Sequence, residues 1–116
     1  MVSKKASRKV SRKALKPEVE LLRDYELVLV ISPEVKDEVF DTTIDKVSRF
    51  ITERGGIISE VERWGKRKLA DPIKHFVEGS YVLTRFKLKP KLSKELEASL
   101  EISEEVFRHL LTRLDS

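Results

Sequence analysis

The sequence predicts an α+β domain in which two helices lie on one face of a four-stranded antiparallel sheet. Three observations carry that reading. Four stretches alternate apolar and polar residues with the period of a strand, two repeat apolar residues at helical spacing, and their order is strand, helix, strand, strand, helix, strand. At 116 residues the chain suits one such domain, since bodies of about 100 residues bury a single core.

Tyr25 to Ile31 reads as the first strand, with Tyr25, Leu27, Leu29 and Ile31 on one face and Val28 and Val30 on the other. The second apolar face asks for a cover or a partner, because a strand in a one-sided sheet needs only one. Ser32-Pro33-Glu34 reads as the start of a helix over 34–54: serine can cap, proline suits the first helical position, and glutamate favours the positive end of the dipole. Phe40, Ile44, Val47 and Ile51, flanked by Val39, Thr43 and Phe50, form its apolar stripe, and Gly55-Gly56 ends it. Ile57 to Arg63 reads as a second strand with Ile57, Ser59 and Val61 inward and Glu60 and Glu62 outward. It runs on to Trp64-Gly65, where the glycine suggests a bulge. Pro72 and Gly79 punctuate a connection to a third strand, Ser80 to Leu88, which Pro90 ends. Leu92, Leu96 and Leu100 mark a short second helix, and Val106 to Leu114 a closing strand. Right-handed crossovers put both helices on one face, which is the ferredoxin-like split β-α-β arrangement. The domain spans 25–114, behind a lead-in at 17–24 and a tail at 1–16.

Charge is unevenly distributed. The net charge is +4, yet residues 1–16 hold seven cations (Lys4, Lys5, Arg8, Lys9, Arg12, Lys13, Lys16) and no acid, so the remaining chain is net −3. The tail has too little apolar surface to offset the entropy of ordering and is expected to be disordered when free. A basic arm on a mildly acidic body suits a polyanion; the plainer alternative is a solubilising tail. No run approaches the ~18 apolar residues of a membrane span, and the tail lacks the apolar core of a secretory signal. An acid-free start rich in serine and arginine also has transit-peptide composition, so an organellar destination stays open. Cysteine is absent and His75 and His109 stand apart, which argues against a thiolate or histidine metal site. Asparagine and glutamine are absent while Lys, Arg and Glu abound, a bias of heat-adapted proteins.

The densest constellation is Trp64-Gly65-Lys66-Arg67-Lys68-Leu69-Ala70-Asp71-Pro72-Ile73, three successive cations beside an indole. Cations neutralise phosphates and an aromatic ring can stack a base, although a solvated strand end with tryptophan as filler would look the same. This run resembles the signature of the bacterial small-subunit ribosomal protein S-six (S6) family, Trp-Gly, a basic stretch, then Leu-Ala-Tyr-Pro-Ile. Arg23-Asp24-Tyr25-Glu26, Gly79 to Leu88 with Tyr81-Val82-Leu83, and Ile102 to Leu111 around Val106 and Arg108 are similar to further stretches of that family. The resemblance implies a non-catalytic protein of the small subunit that binds the central domain of 16S-type ribosomal RNA together with ribosomal protein S-eighteen (S18). It implies no cofactor. Arg23, Lys66, Arg67 and Lys68 become candidate phosphate contacts, with Trp64 and Tyr25 as weaker candidates and the tail cations Lys4, Lys5, Arg8, Lys9, Arg12 and Lys13 as an added arm. Val28, Val30, Tyr81 and Leu83 become candidate partner surface. Asp71 departs from the pattern: it puts a charge that phosphate repels where the family carries tyrosine.

Other readings of the same topology are less well served. An acylphosphatase-type hydrolase needs an anion-cradling loop and an amide side chain, and the Ile31-Ser32-Pro33 turn has no glycine while the chain has no amide side chain. An RNA recognition module stacks bases on its central strands, and Glu78-Gly79-Ser80-Tyr81-Val82 lacks the basic and aromatic pattern of that signature. A protein-only domain pairing through Val28, Val30 and Leu83 is the third alternative.

Overall fold

The computed structural model describes residues 21–114. The basic tail, including Lys4, Lys5, Arg8, Lys9, Arg12 and Lys13, lies outside the described residues. Six elements follow in order: β1 (Arg23–Ile31), α1 (Asp37–Glu53), β2 (Ile57–Ile73), β3 (Phe76–Leu88), α2 (Pro90–Glu101) and β4 (Val106–Arg113). The sheet order is β2-β3-β1-β4 and every pairing is antiparallel, as the split β-α-β reading requires.

The two-residue period of β1 sets the layers. Tyr25, Leu27, Leu29 and Ile31 join Val82, Phe86 and Leu88 of β3 beneath Ile44, Val47 and Ile51 of α1 and Leu96 and Leu100 of α2, so both helices cover one face. Leu27, Ile31, Ile51, Val82 and Leu88 are wholly removed from solvent. Each such side chain contributes about 1.5–3 kcal/mol by leaving water. Pro90 opens α2 at its first turn, where a missing N–H costs nothing, and the buried Ser93 hydroxyl donates to the Pro90 carbonyl at 2.7 Å.

Four details differ from the sequence reading. Helix α1 begins at Asp37 rather than Glu34, because the Ser32 hydroxyl accepts from the Glu34 amide at 3.3 Å and closes a turn of its own, while the N-cap position falls to Lys36 without a side-chain bond. Strand β1 takes in Arg23 and Asp24, which the lead-in had claimed. In β2 the register slips between Ile58 and Glu60, so Ile58 lies opposite core Phe86 while Ile57 is 55% exposed. One extra residue turns the inward and outward sets over, and Val61, opposite buried Thr84, is back on the helix side. Lastly, 64–79 is no irregular connection. Strands β2 and β3 run on past the sheet as a hairpin closed at Lys74-His75, with Lys74 at φ 58°.

Gly56, just after α1, is the tightest glycine contact with backbone: a β-carbon there would lie 2.6 Å from Ile51 Cγ2 and 2.7 Å from the Lys87 carbonyl oxygen. A Gly56→Ala variant is therefore expected to lose about 1–3 kcal/mol of stability, measured as a fall in the urea midpoint with unchanged slope.

Candidate nucleic-acid interface

The long hairpin positions most of the candidate residues. A bulge between Arg63 and Gly65 makes Trp64 the extra residue, and Gly65, at φ 82°, supplies the left-handed backbone the kink needs. Its consequence is a layered stack on the open face, away from the helices. The Trp64 ring lies 6.4 Å from Tyr81 at 14°, and the Arg67 guanidinium sits 5.1 Å above the indole. The indole N–H donates to Glu62 Oε1 at 2.9 Å. An arginine over tryptophan is worth roughly 0.5–1 kcal/mol at an exposed site.

Lys66, Arg67 and Lys68 do not share a face. They stand opposite Ser80, Gly79 and Glu78 in the ladder, so Arg67 joins the stack while its two neighbours turn toward the helix side. There Lys66 lines a groove of about 270 Å³ with Pro33, Phe40 and Arg63. All three cations are exposed, and none is in an ion pair among the described residues. Because β2 is an edge strand, cations from both of its faces reach the same free edge.

Arg23 lies elsewhere. It pairs with Leu88, at the far end of β1 from the Val30–Tyr81 pair, seven residues or about 23 Å away at strand rise. Tyr25 is corrected outright as an RNA contact. Its side chain is in the core at 4% exposure, stacked 5.7 Å from Phe86, and offers no face to a base.

The four candidate partner residues do come together, since Val28 pairs with Leu83 and Val30 with Tyr81 on the open face. Their exposure is less than an empty face implies. Leu83 is 3% and Val30 6% exposed, and Gly79 brings both Val30 Cγ1 and Leu69 Cδ2 to its own backbone. The hairpin therefore curls over this end of the sheet, with buried Leu69 beside Val30. Val28, Tyr81 and the adjoining Leu110, at 63% exposure, are left as the accessible part.

Sequence reasoning missed the polar end of this face. Arg85 on β3 reaches Glu26 on β1 at 3.0 Å and Glu60 on β2 at 2.9 Å, and Lys87 reaches Asp24 at 2.7 Å. The alternation of Arg85 and Lys87 along β3 was its signal. Glu62 hydrogen-bonds Glu60 and holds its pKa above the ordinary carboxyl value, while Glu62 is itself lowered by bonds to Glu60 and Trp64. Arg85 is raised, first by its bond to Glu26. Exposed pairs like these contribute 0–1 kcal/mol each, so they set the character of the surface more than its stability. No group of three or more His, Cys, Asp or Glu suited to a metal occurs among the described residues.

Residues 24–113 match the family model described as ribosomal protein S6. The chain is 40% identical over 94 residues to small ribosomal subunit protein bS6 of Moorella thermoacetica, covering 81% of this chain and 96% of that one. It is 43% identical over 94 residues to the bS6 of Caldanaerobacter subterraneus, covering 81% and 99%. Among solved structures it is similar to 30S ribosomal protein S6 from Thermotoga maritima, with TM-score 0.74, 35% identity, and coverage of 79% of this chain and 87% of that one. The C-terminal domain of MgtC from Mycobacterium tuberculosis, at TM-score 0.58 and 10% identity, shares the fold alone.

Proposed function

The chain belongs to the ribosomal protein S6 family, and from that membership we propose that it binds the central domain of 16S-type ribosomal RNA together with protein S18. As a member it is a structural component of the small ribosomal subunit, within the cytoplasmic ribosome, and of a non-enzymatic family. The observation that carries the RNA reading is the unpaired cation run at the free edge of β2. A phosphate backbone laid along that edge meets Arg67 from the open side and Lys66 and Lys68 from the helix side, without reading a base. Arg23, at the other end of the sheet, would serve a separate phosphate. The partner is assigned to the accessible apolar area around Val28 and Tyr81, over the floor made by Val30 and Leu83. The basic residues 1–16 add a further RNA arm.

The test is salt-titrated binding of the full chain, and of a form lacking residues 1–16, to a central-domain 16S-type RNA fragment with and without S18 and with competitor RNA throughout. Saturable binding that S18 strengthens and that survives tail deletion is expected. Deletion should shrink the slope of log K against log salt by up to about five to six units if all seven tail cations meet phosphates. Complete loss of binding on deletion would leave only a nonspecific arm and overturn the assignment to the domain.

A further inference from the structure

We infer that the tip of the β2-β3 hairpin is a nucleobase-stacking platform, in which an unpaired base of the bound RNA lies on the His75 ring with Lys74 beside it for the adjoining phosphate. This rests on the RNA-binding reading above and adds a site to it that the cation run does not include.

The tip is built in an unusual way for a two-residue turn. Lys74 holds a left-handed conformation at φ 58°, which glycine, asparagine or aspartate would adopt more cheaply. His75 then stacks on Phe76 with ring centroids 4.5 Å apart, and Phe76 meets Phe107 of β4 at 5.2 Å. Three rings thus form a continuous ladder from the hairpin tip to the opposite edge strand. Phe107 owes its place to a bulge: it is the residue skipped where β1 and β4 change register between Val30 and Ile31. Phe76 and Phe107 are half-buried, whereas His75 is exposed, so the ladder is anchored at its inner end and ends in a ring that faces solvent. The Lys74 ammonium lies 5.9 Å from the Phe107 ring, on the same cluster.

A rigid, supported ring is what stacking requires, because a base gains little from a ring that must first be ordered. The surrounding charge selects the ligand. Between Trp64 and Gly79 the hairpin carries Lys66, Arg67, Lys68 and Lys74 against Asp71 and Glu78, a net positive arm on a domain otherwise net negative among the described residues. An acidic polymer with flat, apolar rings meets both features, whereas a protein surface would need to supply only one.

The experiment measures binding of the full chain to the central-domain RNA fragment with S18 present, for His75→Ala, His75→Phe and Lys74→Ala. All three positions are exposed, and thermal melts check that each variant stays folded. His75→Ala is expected to weaken binding by about five- to fifty-fold, His75→Phe to restore it, and Lys74→Ala to reduce the salt slope by roughly 0.7–0.9. If the unaltered protein binds but His75→Ala leaves affinity unchanged, or His75→Phe fails to restore it, the platform is wrong while the RNA assignment stands. If His75→Ala instead weakens capture of S18 without RNA, the tip is a protein contact and the inference falls. Failure of the unaltered protein to bind the fragment, with or without S18, removes the RNA assignment itself.

Discussion

Phe86→Ala is expected to cost about 3–5 kcal/mol, the largest loss from a single truncation in this domain. Phe86 is 1% exposed, stacks on Tyr25, and faces Ile58 across the β2-β3 ladder beneath the helices. Its removal leaves a cavity bounded by two strands that cannot close in without breaking backbone hydrogen bonds. For a domain of about 100 residues the melting temperature should fall by roughly 12 °C or more. Phe86→Leu, which keeps most of the volume, should cost distinctly less; equal losses would mean that the ring contact with Tyr25, rather than filled space, supports the site.

The second large effect concerns affinity. Replacing Lys66, Arg67 and Lys68 together by alanine is expected to reduce the salt slope of RNA binding by about 2–3 units and the affinity near 0.1 M salt by roughly a hundredfold. The melting temperature should barely move, since no ion pair of the described domain involves these residues. Replacing Lys87 and Arg85 instead removes ion pairs to Asp24, Glu26 and Glu60 and should leave the slope nearly unchanged. Equal slope losses from both sets would point to a diffuse electrostatic effect in place of contacts at the β2 edge.

The order of elements was legible because each core stripe has a clean period. Tyr25, Leu27, Leu29 and Ile31 spell a strand in any context, and Ile44, Val47 and Ile51 a helix. The points that escaped are those where one residue changes the phase. The slip between Ile58 and Glu60 leaves no mark in composition, so Ile57 and Ile58 looked interchangeable although one is exposed and the other packs on the core. Pro72 and Gly79 were read as breakers. Proline is tolerated on the outer edge of β2, where no ladder bond is lost, and Gly79 is there because Val30 and Leu69 come too close for a side chain.

The candidate site was legible in part for the same reason. Residue types announced the cation run and the indole, yet strand alternation divides Arg67 from Lys66 and Lys68, and the distribution depends on the bulge at Trp64. Tyr25 carried a sequence motif and turned out to be core, since an aromatic ring opening a central strand has no signal that separates stacking on a base from stacking on Phe86. The His75-Phe76-Phe107 ladder could not be read at all, because it joins residues more than thirty positions apart through a second register shift.

The central position of β1 has a bearing on how the protein comes into being. Its partners are β3 and β4, with Tyr25 opposite Phe86 on one side and Arg113 on the other. The first strand made is thus flanked by two of the later ones, and closing those loops precedes most of the reward. During synthesis at about 5–20 residues per second, the strand waits several seconds for its second neighbour. No shorter prefix of the chain completes the sheet, so this small component of the translation apparatus reaches its native shape only as its own last residues are released.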